Sequence, residues 1–284
     1  MALTSPGLIK AANDALVGIS PDINVAKLFA LDISADFADF GSTVKVPVAT
    51  ATAAEYDDAS NNYETDSGSI TYANVALDKH PKATLSVPNL AAFEAPNAPY
   101  WGRVTTALVD AISGSVSTGL GGLFTADACT GGKVVVSSVT KKTIAALRGE
   151  CLGRVANTVL ALDPTYYAAV LAELDTSAYG GAQAIQNGIV NALYGFKAVI
   201  QMKDLPSGVL GALIPQDAVA VAARGTLKAE EGFIEAGTVT DENGFPVTIT
   251  RHMSFAKRTE FLNGDLLWGA ALVQASKIKY IAAS

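Results

Sequence analysis

TVKVPVATATAAEYDDASNNYETDSGSITYANVAL, residues 43–77, is the stretch around which the rest of the chain can be placed. Its opening alternates, with Val44, Val46 and Val48 on one face, the pattern of a half-buried strand. Pro47 removes a backbone donor and so fits an edge strand. The returning limb alternates Ile70 and Tyr72, then Val75 and Leu77, and the change of parity near Asn74 predicts a bulge. Between the limbs lies a polar tip, EYDDASNNYETDSGS (residues 55–69). It carries Glu55, Asp57, Asp58, Glu64 and Asp66 and no basic residue. Limbs of about fourteen residues at roughly 3.3 Å each give a ribbon about 45 Å long. A lone two-stranded ribbon is marginal in water. Its apolar face is therefore expected to lie across another copy of the chain, and the N-terminal arm likewise.

Upstream, residues 1–41 read as an arm with helical pieces at Pro6–Val17 and Ile23–Ile33, separated by Ser20-Pro21. Downstream, Pro88, Pro96 and Pro99 punctuate the chain before RVTTALVDAISGSVSTGLGGLF (103–124). There Val104, Leu108, Ala111, Ile112, Val116 and Leu120 follow helical spacing, and Gly121-Gly122 ends the helix. KVVVSSVT (133–140) reads as a strand and KKTIAALRGECLGRV (141–155) as a helix. NTVLAL (157–162) is a buried strand, and Asp163-Pro164 starts the helix PTYYAAVLAEL (164–174). AQAIQNGIVNALYG (182–195) has helical spacing through Ile185, Ile189 and Leu193. FKAVIQM (196–202) and GALIPQ (211–216) are strands, and DAVAVAARG (217–225) is expected to be a short helix. Residues 156–244 thus form an α/β unit, and the chain closes in strands from residue 245 onward.

The 284 residues are 50% hydrophobic and 17% charged, enough for one large domain or two modest ones. The formal net charge of −7 supplies no basic footprint for tight nucleic-acid binding, although enclosing nucleic acid needs none. The N-terminus lacks a signal-peptide pattern, and no apolar run is long enough to span a membrane, so synthesis in a cytoplasm is expected. Cys129 and Cys151 lack metal-like spacing and read as buried apolar residues.

Chemical motifs are scarce. Of the two histidines, His80 sits on the ribbon and His252 in a strand-like run, and no G-x-S-x-G elbow occurs. CTGGKV lacks the first glycine and the Ser or Thr of a phosphate loop. The tip carboxylates lack the glycine and closing glutamate of a calcium loop. No catalytic, cofactor-binding or metal-ligating set is therefore expected. The acidic tip reads first as a solvated loop; beside that reading it suits docking on a basic patch of a neighbour, with Arg103, Lys141, Lys142, Lys257 and Arg258 as candidate partners.

The order of parts — arm, ribbon, long helix, α/β insertion, return strands — resembles the major capsid protein of tailed bacteriophages, the Hong Kong 97-type fold. TVKVPV through SITYANVALDKHPKATLSV resembles that family's extended loop, and PYWGRVTTALVDAISGSV its spine helix. NTVLALDPTYYAAVLAEL, IQNGIVNALYGFKAVIQMKDLP and LIPQDAVAVAARG are similar to its axial domain. ITRHMSFAKRTEFLNGDLLWGAALVQASKI is similar to its closing peripheral strands.

The resemblance implies an α+β class with an arm (1–41), an extended β-hairpin loop (42–88), a peripheral domain (89–155 and 245–284) and an axial domain (156–244). It implies a structural, non-enzymatic subunit that self-assembles as hexamers and pentamers around double-stranded DNA without sequence specificity. The subunit would be assembled in a bacterial cytoplasm and reside in the virion, with no cofactor and no membrane partner. Scaffold, portal and decoration proteins are possible partners; with no long scaffolding region ahead of the arm, a separate scaffold or none is expected. Expected inter-subunit residues are Glu55, Asp57, Asp58, Glu64, Asp66, Lys79, Lys82 and Arg103. Some members of the family join Lys to Asn, and Lys79, Lys82 and Asn263 are the residues available for that here. Two other readings stand beside this one: an encapsulin-like compartment shell enclosing protein cargo, and an α/β-class enzyme built on residues 156–244.

Overall fold

A computed structural model describes residues 17, 26–34, 43–51, 68–87, 98–138, 140–151, 154–173, 189–191, 193–225, 235–240, 246–254 and 259–283. Its strands in chain order are β1 (Ala30–Asp32), β2 (Thr43–Ala51), β3 (Gly68–Ala76), β4 (Lys82–Val87), β5 (Lys133–Val136), β6 (Thr158–Leu162), β7 (Ile189–Asn191) and β8 (Ala198–Gln201). They continue as β9 (Val209–Pro215), β10 (Val219–Arg224), β11 (Glu235–Thr240), β12 (Pro246–Ser254), β13 (Thr259–Asp265), β14 (Leu267–Leu272) and β15 (Lys279–Ala283). The helices are α1 (Ala98–Gly121), α2 (Lys141–Leu147) and α3 (Pro164–Glu173).

The described strands form four sheets. A mixed six-stranded sheet runs β5-β15-β9-β6-β8-β7, and an antiparallel one runs β11-β12-β13-β4. A three-stranded sheet runs β1-β10-β14, and β2-β3 pair alone. Alternation along β6 explains why it is buried throughout. Val159 and Ala161 face a core that contains α1, while Leu160 and Leu162 face a second core built on α2 and α3. Leu108, Ile112, Val116 and Leu120 of α1 are buried there, as the helical spacing predicts. The same α1 core takes Val247 and Ile249 of β12, Leu262 of β13 and Trp268 of β14. One helix stripe thus serves three sheets.

The start of α3 follows the sequence reading: Asp163 Oδ1 accepts from the Thr165 N–H at 2.9 Å, with Pro164 as the first helical residue. Five expectations need correction. Within residues 217–225, Val219–Arg224 form strand β10 rather than a helix. Alanine favours helix in isolation, but here Val219 and Val221 enter the α1 core while Ala220 and Ala222 enter a third cluster on the opposite face. Burial on both faces of a strand overrides the propensity. Within 182–195, Ile189–Asn191 is strand β7, and the chain then turns through Tyr194 and Gly195 at positive φ. Residues 182–188 lie outside the described residues.

Of the expected helix Ile23–Ile33, residues 26–27 are helical and Ala30–Asp32 form β1, parallel to β10. Phe29 packs edge-to-face on Phe124, with ring centroids 6.1 Å apart, so this part of the arm is docked on its own chain. The helix expected over 141–155 breaks after Leu147 into short 3-10 turns.

The fifth correction concerns the ribbon. β2 and β3 pair without interruption from Thr43↔Ala76 to Ala51↔Gly68, so there is no bulge near Asn74. Ile70 and Tyr72 simply occupy the face opposite Val75. Strand membership also crosses the segment limits drawn from the sequence. β5 and β15 join the sheet of β6, β8 and β9, while β10 pairs with β14.

Candidate assembly surface

The hairpin has two faces with different fates. Val44, Val46 and Val48 stand opposite Val75, Ala73 and Thr71. On that face Val46 and Val75 are buried, with Leu77, against Ala220, Ala222 and Leu267. The root of the ribbon is thus satisfied by its own chain, contrary to the expectation that the whole apolar face lies on a neighbour. Beyond Val48 both faces are exposed, including Thr50, Ser69 and Thr71. Cross-strand hydroxyl contacts, such as Thr50 Oγ1 to Ser69 Oγ at 2.8 Å, hold this section together.

The outer face carries Lys45, Pro47 and Ala49 opposite Asn74, Tyr72 and Ile70, all exposed. Ile70 and Tyr72 leave 65% and 64% of their surfaces open. Two large apolar side chains side by side on a two-stranded sheet form a surface that a partner can cover.

The returning limb is clamped to the body. Lys79 N–H donates to Trp268 O at 3.0 Å and Trp268 N–H donates to Lys79 O at 2.9 Å. The Lys79 ammonium sits 4.7 Å from the centroid of the Trp268 ring, a cation–π contact. Burial holds the Lys79 pKa below its usual value, partly opposed by the neighbouring Asp78 carboxylate. The indole also lies against Gly119 of α1, where an added Cβ would come within 2.6 Å of the ring. Next along β14, Gly269 leaves room for the backbone oxygen of Ala76 at the hairpin root. Further on, His80 Nε2 lies 4.0 Å from Asp265 Oδ1, and β4 pairs with β13 from Lys82↔Asp265 onward.

Lys79 is therefore half-buried on its own tryptophan, while Lys82 is exposed at the start of β4. Arg103 lies in the second turn of α1. Glu55, Asp57, Asp58, Glu64 and Asp66 lie outside the described residues, as do Lys257 and Arg258. Among the described residues of that set, Lys79 and Lys82 share one limb. Asn263 is buried, with Nδ2 3.0 Å from His252 Nδ1 and 3.3 Å from Thr250 Oγ1.

Sequence reading missed a basic recess at one end of the six-stranded sheet. It holds about 470 Å³ and is lined in part by Glu150, Arg154, Lys277 and Lys279. Lysines at 277 and 279 carry no local signal that connects them to residues 150–154; only the sheet does so. Among the described residues, no group of three or more His, Cys, Asp or Glu could hold a metal ion, and no helix is long and apolar enough to cross a membrane. Cys129 and Cys151 are free thiols.

No protein-family model matches the chain, and no curated protein matches it. Solved structures do. The capsid asymmetric unit of cyanophage A-1(L) is 12% identical and covers 99% of this chain and 94% of its own, with a TM-score of 0.60. The capsid structure of cyanophage P-SCSP1u is 12% identical, with 92% and 88% coverage and a TM-score of 0.56. A virus-like particle from Pyrococcus furiosus is 10% identical, with 95% and 98% coverage and a TM-score of 0.51. At these identities the likeness establishes the fold: a mixed helix-and-sheet architecture shared with phage capsid proteins over nearly the whole chain. The resemblance to tailed-phage capsid proteins read from the sequence holds at the level of that fold.

Proposed function

We propose that the chain is the repeated shell subunit of a bacteriophage capsid, of the Hong Kong 97 type, and that copies of it assemble around double-stranded DNA. The observation that carries this reading is the pairing of a whole-chain capsid-protein fold with a hairpin whose outer face leaves Ile70 and Tyr72 open. In this reading the segments are an arm (1–41), an extended loop (42–88), a peripheral unit (89–155 and 245–284) and an axial unit (156–244). The hairpin beyond Val48 lies on a neighbouring copy, and hexamers and pentamers close the shell by symmetry. Each such contact buries on the order of 1,000 Å² or more. The subunit is structural rather than catalytic. Other copies of itself and the packaged DNA are its partners, with scaffold, portal or decoration proteins as further candidates; the virion is its destination, and assembly takes place in the host cytoplasm.

A second reading, a virus-like compartment shell without a phage genome, is supported by the likeness to the Pyrococcus furiosus particle. Electron microscopy of the expressed chain tests for closed particles, and nuclease-protected DNA measured in particles from phage-infected cells separates the two. Closed particles are expected in both readings, and protected DNA in particles from phage-infected cells only in the first. A chain that remains monomeric at all concentrations overturns both.

A further inference from the structure

The basic recess lies apart from the hairpin described above. It opens where β6 and β15 begin and β9 ends, between the 3-10 turn at Arg148–Cys151 and the turn at Ala275–Lys277. Lys279 Nζ donates to Glu150 Oε2 at 2.9 Å. Arg154 and Lys277 have no acidic partner among the described residues. Three cations and one carboxylate therefore share a concavity of about 470 Å³, in a chain whose net charge is −7. Like charges held together in a recess repel unless an anion enters. An oxyanion entering the recess would offset that repulsion.

A recess of this size takes a few side chains, whereas a DNA duplex presents its phosphates on a convex cylinder. The chain itself holds two runs dense in carboxylates and free of cations. In the run 230–242, Glu235–Thr240 form β11 and pair with β12. Residues 55–66 carry Glu55, Asp57, Asp58, Glu64 and Asp66 at the end of a hairpin whose outer half is exposed on both faces. We propose that the recess receives the acidic hairpin tip of a second copy of the chain, with Arg154 and Lys277 taking its carboxylates. The inference rests on the shell-subunit reading and adds the receptor for the tip.

The test is a charge-swap cycle in the full-length chain. Assembly is followed by light scattering and sedimentation at low salt, and folding by circular dichroism and thermal melting. Arg154→Glu with Lys277→Glu, and separately Asp57→Lys with Asp58→Lys, should each slow assembly about ten-fold or more, as reversed interface charges do. The four substitutions together should recover most of that loss. If the glutamate pair does not fold, Arg154→Ala with Lys277→Ala should slow assembly less and flatten its salt dependence. Wild-type rates in the recess variants, or a combined variant no faster than the slower pair, overturn the proposal. Normal assembly with reduced DNA retention overturns it too, and identifies phosphates as the occupant. Wild-type chain that forms no particles fails earlier, and overturns the shell reading itself.

Discussion

Gly119 looks like a weak point in α1 until Trp268 is placed. The indole occupies the space a Cβ would need, so the residue that is poor for a helix is required by the packing. Gly119→Ala should destabilise the chain by about 1–3 kcal/mol, the usual range for overpacking. Gly114→Ala is the internal control. Nothing lies within 4 Å of its added Cβ, so it should stabilise by about 0.4–1 kcal/mol. Urea denaturation of the two variants measures both.

Cys129 gives a pH prediction. Burial pushes its thiol from 9.0 up to about 11, so the folded chain keeps a proton that the unfolded chain releases. Its contribution is fully present below pH 9 and falls away as pH rises towards 11. Cys129→Ala should lower stability by a pH-independent offset and show a shallower loss between pH 9 and 11 than wild type. Equal slopes in thermal melts across that window would remove the assignment.

The hairpin divides into a root that belongs to the body and an outer half that does not. Val46, Val75 and Leu77 pack on β10 and β14, so the root folds with the chain. Ile70 and Tyr72 touch nothing comparable and stay open. Replacing both with lysine should change monomer stability by no more than about 0.5 kcal/mol, yet abolish or strongly slow particle formation. Particles formed at the normal rate would show that this face meets no neighbour. Deleting Asp57 to Gly68 should likewise leave soluble subunits that do not close into shells, and normal shells in electron micrographs would exclude the tip from assembly. The uninterrupted register of β2 with β3 matters here, because a straight ribbon presents one continuous outer face.

Over the entire chain, sheet continuity rather than segment order sets the architecture. β13 and β14 are separated by Leu266 alone and pass from the four-stranded to the three-stranded sheet. α1 lies beneath both and beneath the six-stranded sheet. A subunit built this way should behave as one cooperative body with a protruding hairpin, so assembly should alter the hairpin more than the core. If an acidic tip docks on a basic recess, assembly should slow as ionic strength rises, because exposed charges are screened within about 10 Å at 0.1 M salt. Assembly rates indifferent to salt would exclude electrostatic docking.

The sequence by itself determined what depends on neighbours along the chain. The alternation of Val44, Val46 and Val48 declared a strand, the spacing of Leu108, Ile112, Val116 and Leu120 a long helix, and Asp163-Pro164 a helix start. The order of these pieces was enough to suggest the capsid-like fold. Only the tertiary structure decided what depends on distant partners. Residues 219–224 became a strand because two cores cover their two faces. Lys79 proved to be an anchor because Trp268 arrives from far along the chain. Arg154 and Lys277 became one recess because the starts of β6 and β15 meet the end of β9. Local pattern fixes backbone preference and amphipathicity, whereas the covering of a second face and the meeting of remote charges are set by packing, which one-dimensional spacing does not encode.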